Sequence, residues 1–161
     1  MIDGVPCLSD EEVIFRPDWT LLAGILSQDY NLGDNVIEAG TFIRFDDEKI
    51  CCYCLNHPVI QGYQCAGDNY NKALWTGSTG ILLYPSGKLK YFQPYEDLEI
   101  QGVLCKKSPA RGGVELYENG KLKECTSAAD QTIDGVLCEK NYTLHFDENG
   151  KLLKAEKLKM F

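Results

Sequence analysis

Gly113-Val114-Glu115-Leu116-Tyr117-Glu118-Asn119-Gly120-Lys121-Leu122 reads as strand, tight turn, strand. An apolar-rich run ends on an aromatic, Asn119-Gly120 follows, and Lys121-Leu122 open the return. Asn-Gly between such runs is the strongest short hairpin signal, because both residues tolerate the positive φ of a two-residue turn. The phrase recurs at 80–89, as Gly-Ile-Leu-Leu-Tyr-Pro-Ser-Gly-Lys-Leu, and again at 144–152. Recurrence of this kind speaks of architecture before chemistry.

A second phrase, Ile-x-Gly-(Val/Tyr)-x-Cys, stands at 2–7, 60–65, 100–105 and 133–138. Counting outward from both phrases aligns three columns. They are Ile2, Leu32, Ile60, Ile100 and Ile133; then Phe15, Phe45, Tyr84, Tyr117 and Phe146; then Leu21, Ile50, Leu89, Leu122 and Leu152. Five units follow, about 2–31, 32–59, 60–99, 100–132 and 133–161, in one repeat domain spanning 1–161. The third and fourth carry insertions of eleven and four residues before the aromatic. A period of about thirty residues means one supersecondary element per unit, stable only against its neighbours.

The expected fold is all-β, three short strands per unit. The first is the Ile-x-Gly-Val-x-Cys phrase, the second ends on the aromatic, and the third begins at the Leu/Ile column. Alternation in Thr41-Phe42-Ile43-Arg44-Phe45 and Tyr142-Thr143-Leu144-His145-Phe146 points Ile43, Phe45, Leu144 and Phe146 inward and Arg44 and His145 outward. The only helix-compatible stretches are 8–12 and 95–98. Either a curled antiparallel sheet or a solenoid would bury the columns as ladders. The lysines at 151, 154, 157 and 159 suit an exposed edge strand.

The net charge of −8 argues against nucleic acid or an anionic membrane as partner. It is lopsided: residues 1–80 hold twelve Asp/Glu against four Lys/Arg, whereas 81–161 hold twelve of each. A basic partner would meet the N-terminal half first. No apolar run of export-signal or membrane-span length is visible, so the eight cysteines are expected as free thiols in a reducing, cytoplasmic setting.

The aromatic-x-Asn-Gly-Lys-Leu hairpins at 84–89, 117–122 and 146–152 resemble MORN-like repeats, in particular those known in bacteria as antitoxin-component repeats. The period here is longer, and the Ile-x-Gly-Val-x-Cys phrase has no counterpart in those families. The resemblance implies a binding or neutralising scaffold in place of an enzyme.

Sites are sparse. Cys7, Cys65, Cys105 and Cys138 share a column with Ile37, which marks the slot as apolar. Cys52, Cys54 and His57 supply three of the four ligands that zinc wants, with no second Cys or His pair to complete them, so packing is the preferred reading. The same shortage leaves Cys54 and His57 without a group to orient them as nucleophile and base. No cofactor is expected. The insertion at 66–79 mixes Asp68 and Asn69 with Tyr70 and Trp75, the composition of a peptide or sugar site, and Trp19 at a turn tip is the second binding candidate. The leading expectation is a non-enzymatic repeat scaffold that binds a protein, possibly antitoxin-like. The alternative is a small carbohydrate-binding or carbohydrate-active protein using the Tyr70/Trp75 loop.

Overall fold

The computed structural model describes residues 1–54, 56–67, 80–107 and 113–157, and they are all-β, with no helix among them. The strands of the N-terminal part are β1 (Ile14–Phe15), β2 (Leu21–Ile25), β3 (Tyr30–Leu32), β4 (Asn35–Ile37), β5 (Phe42–Phe45), β6 (Ile50–Tyr53), β7 (Val59–Ile60), β8 (Tyr63–Gln64) and β9 (Ile81–Leu83). Those that follow are β10 (Leu89–Phe92), β11 (Leu98–Ile100), β12 (Val103–Cys105), β13 (Val114–Leu116), β14 (Leu122–Thr126), β15 (Gln131–Ile133), β16 (Val136–Cys138), β17 (Tyr142–Phe146) and β18 (Leu152–Lys157). Within residues 1–89 the large sheet runs β1-β2-β5-β6-β9, beside the pairs β3–β4 and β7–β8, and within 90–161 it runs β10-β13-β14-β17-β18, beside β11–β12 and β15–β16. By its internal contacts the chain divides into two compact units, residues 1–89 and 90–161.

Two kinds of hairpin alternate, and each has its own turn chemistry. The Ile-x-Gly-Val phrase is not a single strand, as the spacing suggested, but a complete small hairpin. Ile100 pairs with Val103 and Ile133 with Val136, with Gln101-Gly102 and Asp134-Gly135 between them, and Ile2 and Val5 form the same bridge around Asp3-Gly4. Both turn residues have positive φ in each case: 52° and 83° at Gln101-Gly102, 50° and 79° at Asp134-Gly135. That is the two-residue geometry whose twist matches the flanking strands. Two strands therefore replace one at each such phrase.

The large-sheet hairpins turn differently. At 117–121 only Gly120 is left-handed, at φ 82°, while the Gly120 amide donates to the Tyr117 carbonyl and the Tyr117 amide to the Lys121 carbonyl. Strand pairing shifts register between Glu115 and Leu116, the mark of an extra residue bulged out beside the turn. Asn119 thus keeps ordinary φ and uses its side chain, accepting from the Lys121 amide at 2.9 Å. The expectation of positive φ at both Asn119 and Gly120 is corrected: the hairpin was placed rightly, its turn type was not. Residues 9–11 and 95–96 are bends, and Leu98 opens β11, so neither helix-compatible stretch coils.

In residues 1–89 the core gathers Leu21, Ala23, Leu26, Ile37, Phe42, Ile43, Ile50, Ile60, Leu83 and Leu89, with Cys51, Cys52, Cys54 and Cys65. Phe42 and Ile43 point to opposite faces of β5 yet both are buried, so β5 and its partner β6 are covered on both sides. In residues 90–161 Phe92, Ile100, Val103, Val114, Leu116, Leu122, Leu144 and Phe146 fill the same role with Cys105, Cys125 and Cys138. Leu21, Ile50, Leu89 and Leu122 are buried as expected, and Leu152 is half-buried. The aromatic column departs from the expectation of a buried ladder. Phe146 is buried, Phe45, Tyr84 and Tyr117 are half-buried, and Phe15 is 40 % exposed. These rings stand at strand ends, at or just before the turns, where the sheet gives them one covered side only.

Candidate binding surfaces

Side-chain-to-backbone hydrogen bonds tie each small hairpin to the large sheet, and they repeat by column. The first left-handed residue of the turn accepts from the amide of the aliphatic that opens the next large-sheet return strand. Asp3 takes Leu21 N at 2.6 Å, Gln61 takes Leu89 N at 2.7 Å, Gln101 takes Leu122 N at 3.2 Å and Asp134 takes Leu152 N at 2.7 Å. Gly33 has no side chain to do this. There Asn35 Nδ2 donates instead to the Gly87 carbonyl at 2.6 Å, where the two turns touch so closely that a Cβ on Gly87 would lie 2.5 Å from Leu32 O.

A second column decides the reading of His57. Three residues before the column aliphatic, Asp29, Asp97 and Asp130 each accept from an amide ten residues on: Ala39 at 2.9 Å, Lys107 at 2.7 Å and Lys140 at 2.8 Å. His57 holds the equivalent place before Ile60, and its Nδ1 accepts from Gly67 N at 2.9 Å. The imidazole thus does the work of a carboxylate, closing the base of the small hairpin. Among the described residues no three His, Cys, Asp or Glu side chains gather into a set able to hold a metal ion. Cys52 and Cys54 are buried in the core, whereas His57 is exposed.

No disulfide joins any of the eight cysteines. The column thiols bond locally: Cys65, Cys105 and Cys138 donate to the carbonyls of Tyr63, Val103 and Val136 at 3.4, 3.5 and 3.6 Å. Burial pushes the Cys52 thiol well up and Cys65 to about 12. Cys125 is raised by its hydrogen bond with Cys105 and then by burial. Groups so held stay protonated and make poor nucleophiles and poor metal ligands.

Two surfaces remain outward. On the β3–β4, β7–β8, β11–β12 and β15–β16 hairpins one cross-strand pair faces solvent and joins one aliphatic to one polar residue. Val36 pairs with Asn31, Val59 with Gln64, Leu104 with Glu99 and Leu137 with Thr132, all exposed. Gln131 adds to this face by bracketing Leu104, accepting from its amide at 3.0 Å and donating to its carbonyl at 2.9 Å. In the phrase the residue between Val and Cys points away from both, which sets Leu104 and Leu137 outward.

The second surface is the crest of the β1–β2 hairpin. Trp19 occupies the place that Gly87, Gly120 and Gly150 fill in other large-sheet turns, two residues before the column aliphatic. It takes their backbone too, at φ 66°, with its amide donating to Arg16 O at 3.0 Å. Trp19 is 81 % exposed, and among the described residues its ring meets that of Phe15, at 6.4 Å between centroids. Of the other expected binding residues, Asp68, Asn69, Tyr70 and Trp75 lie outside the described residues. No protein-family model matches the chain, and no curated protein and no solved structure is significantly similar to it.

Proposed function

We propose that the chain is a non-enzymatic scaffold of five repeating β units whose work is to bind a protein partner. The two hydrogen-bond columns support the repeat reading, since the same side-chain role returns at equivalent places along the sequence. The binding reading is carried by the outward pairs of the small hairpins. Within residues 1–89 Val36 and Val59 stand exposed, and within 90–161 Leu104 and Leu137 do. Isolated exposed aliphatics are ordinary, but an outward cross-strand pair that keeps one aliphatic in hairpin after hairpin, on the return strand at Val36, Leu104 and Leu137 and on the opening strand at Val59, is a pattern. The MORN-like resemblance favours a neutralising, antitoxin-like version of this role, in the cytoplasm. The burial and protonation of the described thiols support a role without nucleophilic chemistry.

The test compares the wild-type protein with a variant carrying Val36→Lys, Val59→Lys, Leu104→Lys and Leu137→Lys as baits in extracts of the source cell. These side chains are exposed, so far-UV circular dichroism should be unchanged. A protein retained by the wild type and reduced at least tenfold on the variant supports the reading. Equal retention on both baits, or no specific protein on either, sinks it.

A further inference from the structure

We infer that the β1–β2 crest is a docking site for an arginine-rich segment of a protein, with Trp19 as the receiving face. The inference goes beyond the small-hairpin surface and does not depend on it. Its first support is the indole itself. A tryptophan held in a left-handed turn position that three other hairpins give to glycine, with four-fifths of its surface in water, contributes little to the core. Backbone strain of this sort persists at functional sites because something other than folding requires the side chain. Tryptophan and arginine are also the side chains that dominate protein interfaces.

Its second support is charge. Residues 1–50 hold eleven Asp/Glu against three Lys/Arg, which is the excess of the whole chain. The basic residues of the two crests are drawn inward or paired. Arg16 lies under the turn, donating to Leu21 O at 3.3 Å and to Phe45 O, with Asp47 at 3.6 Å. Arg44 is paired with Asp46 at 2.9 Å. Lys49 is half-buried beside Cys51. Outward stand Asp18 on the Trp19 turn and, on the neighbouring β5–β6 turn, Asp47 with its carboxylate 95 % exposed and Glu48. Strands β2 and β5 are paired, so the two turns are neighbours along one margin of the sheet. An aromatic face rimmed by carboxylates selects a cation that is planar and weakly hydrated. A guanidinium stacks on the indole while its neighbours along the peptide pair with Asp47 and Glu48.

The test uses an acetylated, amidated Arg-Ser-Arg-Ser-Arg peptide and its citrulline counterpart, which keeps shape and loses charge. Binding is followed by isothermal titration to the full-length protein, with a neutral β-linked hexasaccharide as a third probe. The arginine peptide should bind the wild type at least tenfold more tightly than the citrulline peptide. Trp19→Gly should weaken it at least tenfold, and Asp47→Asn with Glu48→Gln about threefold, the latter with a shallower salt dependence. Trp19→Asn, which also suits positive φ, guards against a folding defect in the glycine variant. Equal affinity for both peptides, unchanged affinity in both Trp19 variants, or binding of the hexasaccharide alone would overturn the proposal. None of these readouts moves with Val36, Val59, Leu104 or Leu137, so the two readings fail separately.

Discussion

Replacing Trp19 with glycine should stabilise the protein. A non-glycine residue in the left-handed region costs about 1–2 kcal/mol relative to its preferred conformations, and Trp19 sits there at φ 66°. Against that relief stands the loss of the tilted contact with Phe15, at 6.4 Å and 50°. Such a pair contributes about 0.5–1.5 kcal/mol when well packed, and here it belongs at the low end because both rings are exposed. The net is a gain of about 1 kcal/mol, or roughly 2–4 °C in Tm for a chain of this size. Urea unfolding followed by far-UV circular dichroism measures it without relying on the deleted fluorophore. The mirror experiment is Gly120→Ala in the equivalent turn. A Cβ there meets nothing within 4 Å, so the cost of about 1 kcal/mol is purely conformational. If Trp19→Gly lowers the urea midpoint at unchanged slope, the indole is packing in a way its exposure does not register, and both the energetic argument and the docking inference lose their base.

Other substitutions test the hydrogen-bond columns. His57→Asp should be tolerated and His57→Ala should cost about 1 kcal/mol, since Nδ1 accepts the Gly67 amide as the column aspartates accept theirs; equal destabilisation by both would show a further duty for the imidazole. Asp130→Ala should lose a similar amount and speed hydrogen exchange at the Lys140 amide, its donor. Thiol titration under native conditions should find at most one fast group, half-buried Cys7, and eight after unfolding, because the other seven thiols are buried; three or more fast groups would mean the core opens readily. Asp147 is held below the usual carboxylate range by the Lys151 amide first and the Asn149 amide next. Its contribution is therefore complete above the unfolded carboxylate pKa and is lost as pH falls through the lower folded value. The stability gap between wild type and Asp147→Asn should narrow on acidification, and a gap that widens would contradict the sign.

Much of the fold was legible because hairpins are local. Lys-Leu after a turn glycine fixes a reversal within six residues, so the all-β class and the hairpin at 113–122 are legible, whereas Ile-x-Gly-Val-x-Cys reads as one strand where the structure has a hairpin. What stayed hidden was the choice between turn types. Asn119-Gly120 and Gln101-Gly102 both end in glycine, yet the first makes a bulged turn with one left-handed residue and the second a tight turn with two. That choice rests on flanking register, which the pair itself does not encode. The role of His57 was hidden for a different reason. Three aspartates in its column fill the same role, but alignment had been anchored on apolar columns, and a polar residue three places before them carries no hydrophobic signal. Trp19 was legible as a turn tip; that it replaces a glycine is visible only once Gly87, Gly120 and Gly150 are set beside it.

The two hairpin types also explain why a chain of many two- to six-residue strands can hold together. A strand of two residues such as β7 makes too few ladder bonds to persist alone. Its hairpin is instead closed at the base by His57 and anchored at the tip by Gln61, which reaches the Leu89 amide 28 residues away. The hairpins β7–β8, β11–β12 and β15–β16 are thus fixed at both ends by a side chain accepting a backbone amide, and their middles are free to present an outward pair. Tip and base residues are constrained by hydrogen bonding, inward residues by burial, and the central pair by neither. Val36, Leu104 and Leu137 occupy one side of that outward pair and Val59 the other. An aliphatic in the pair four times over is what a binding requirement would select and what folding alone would not.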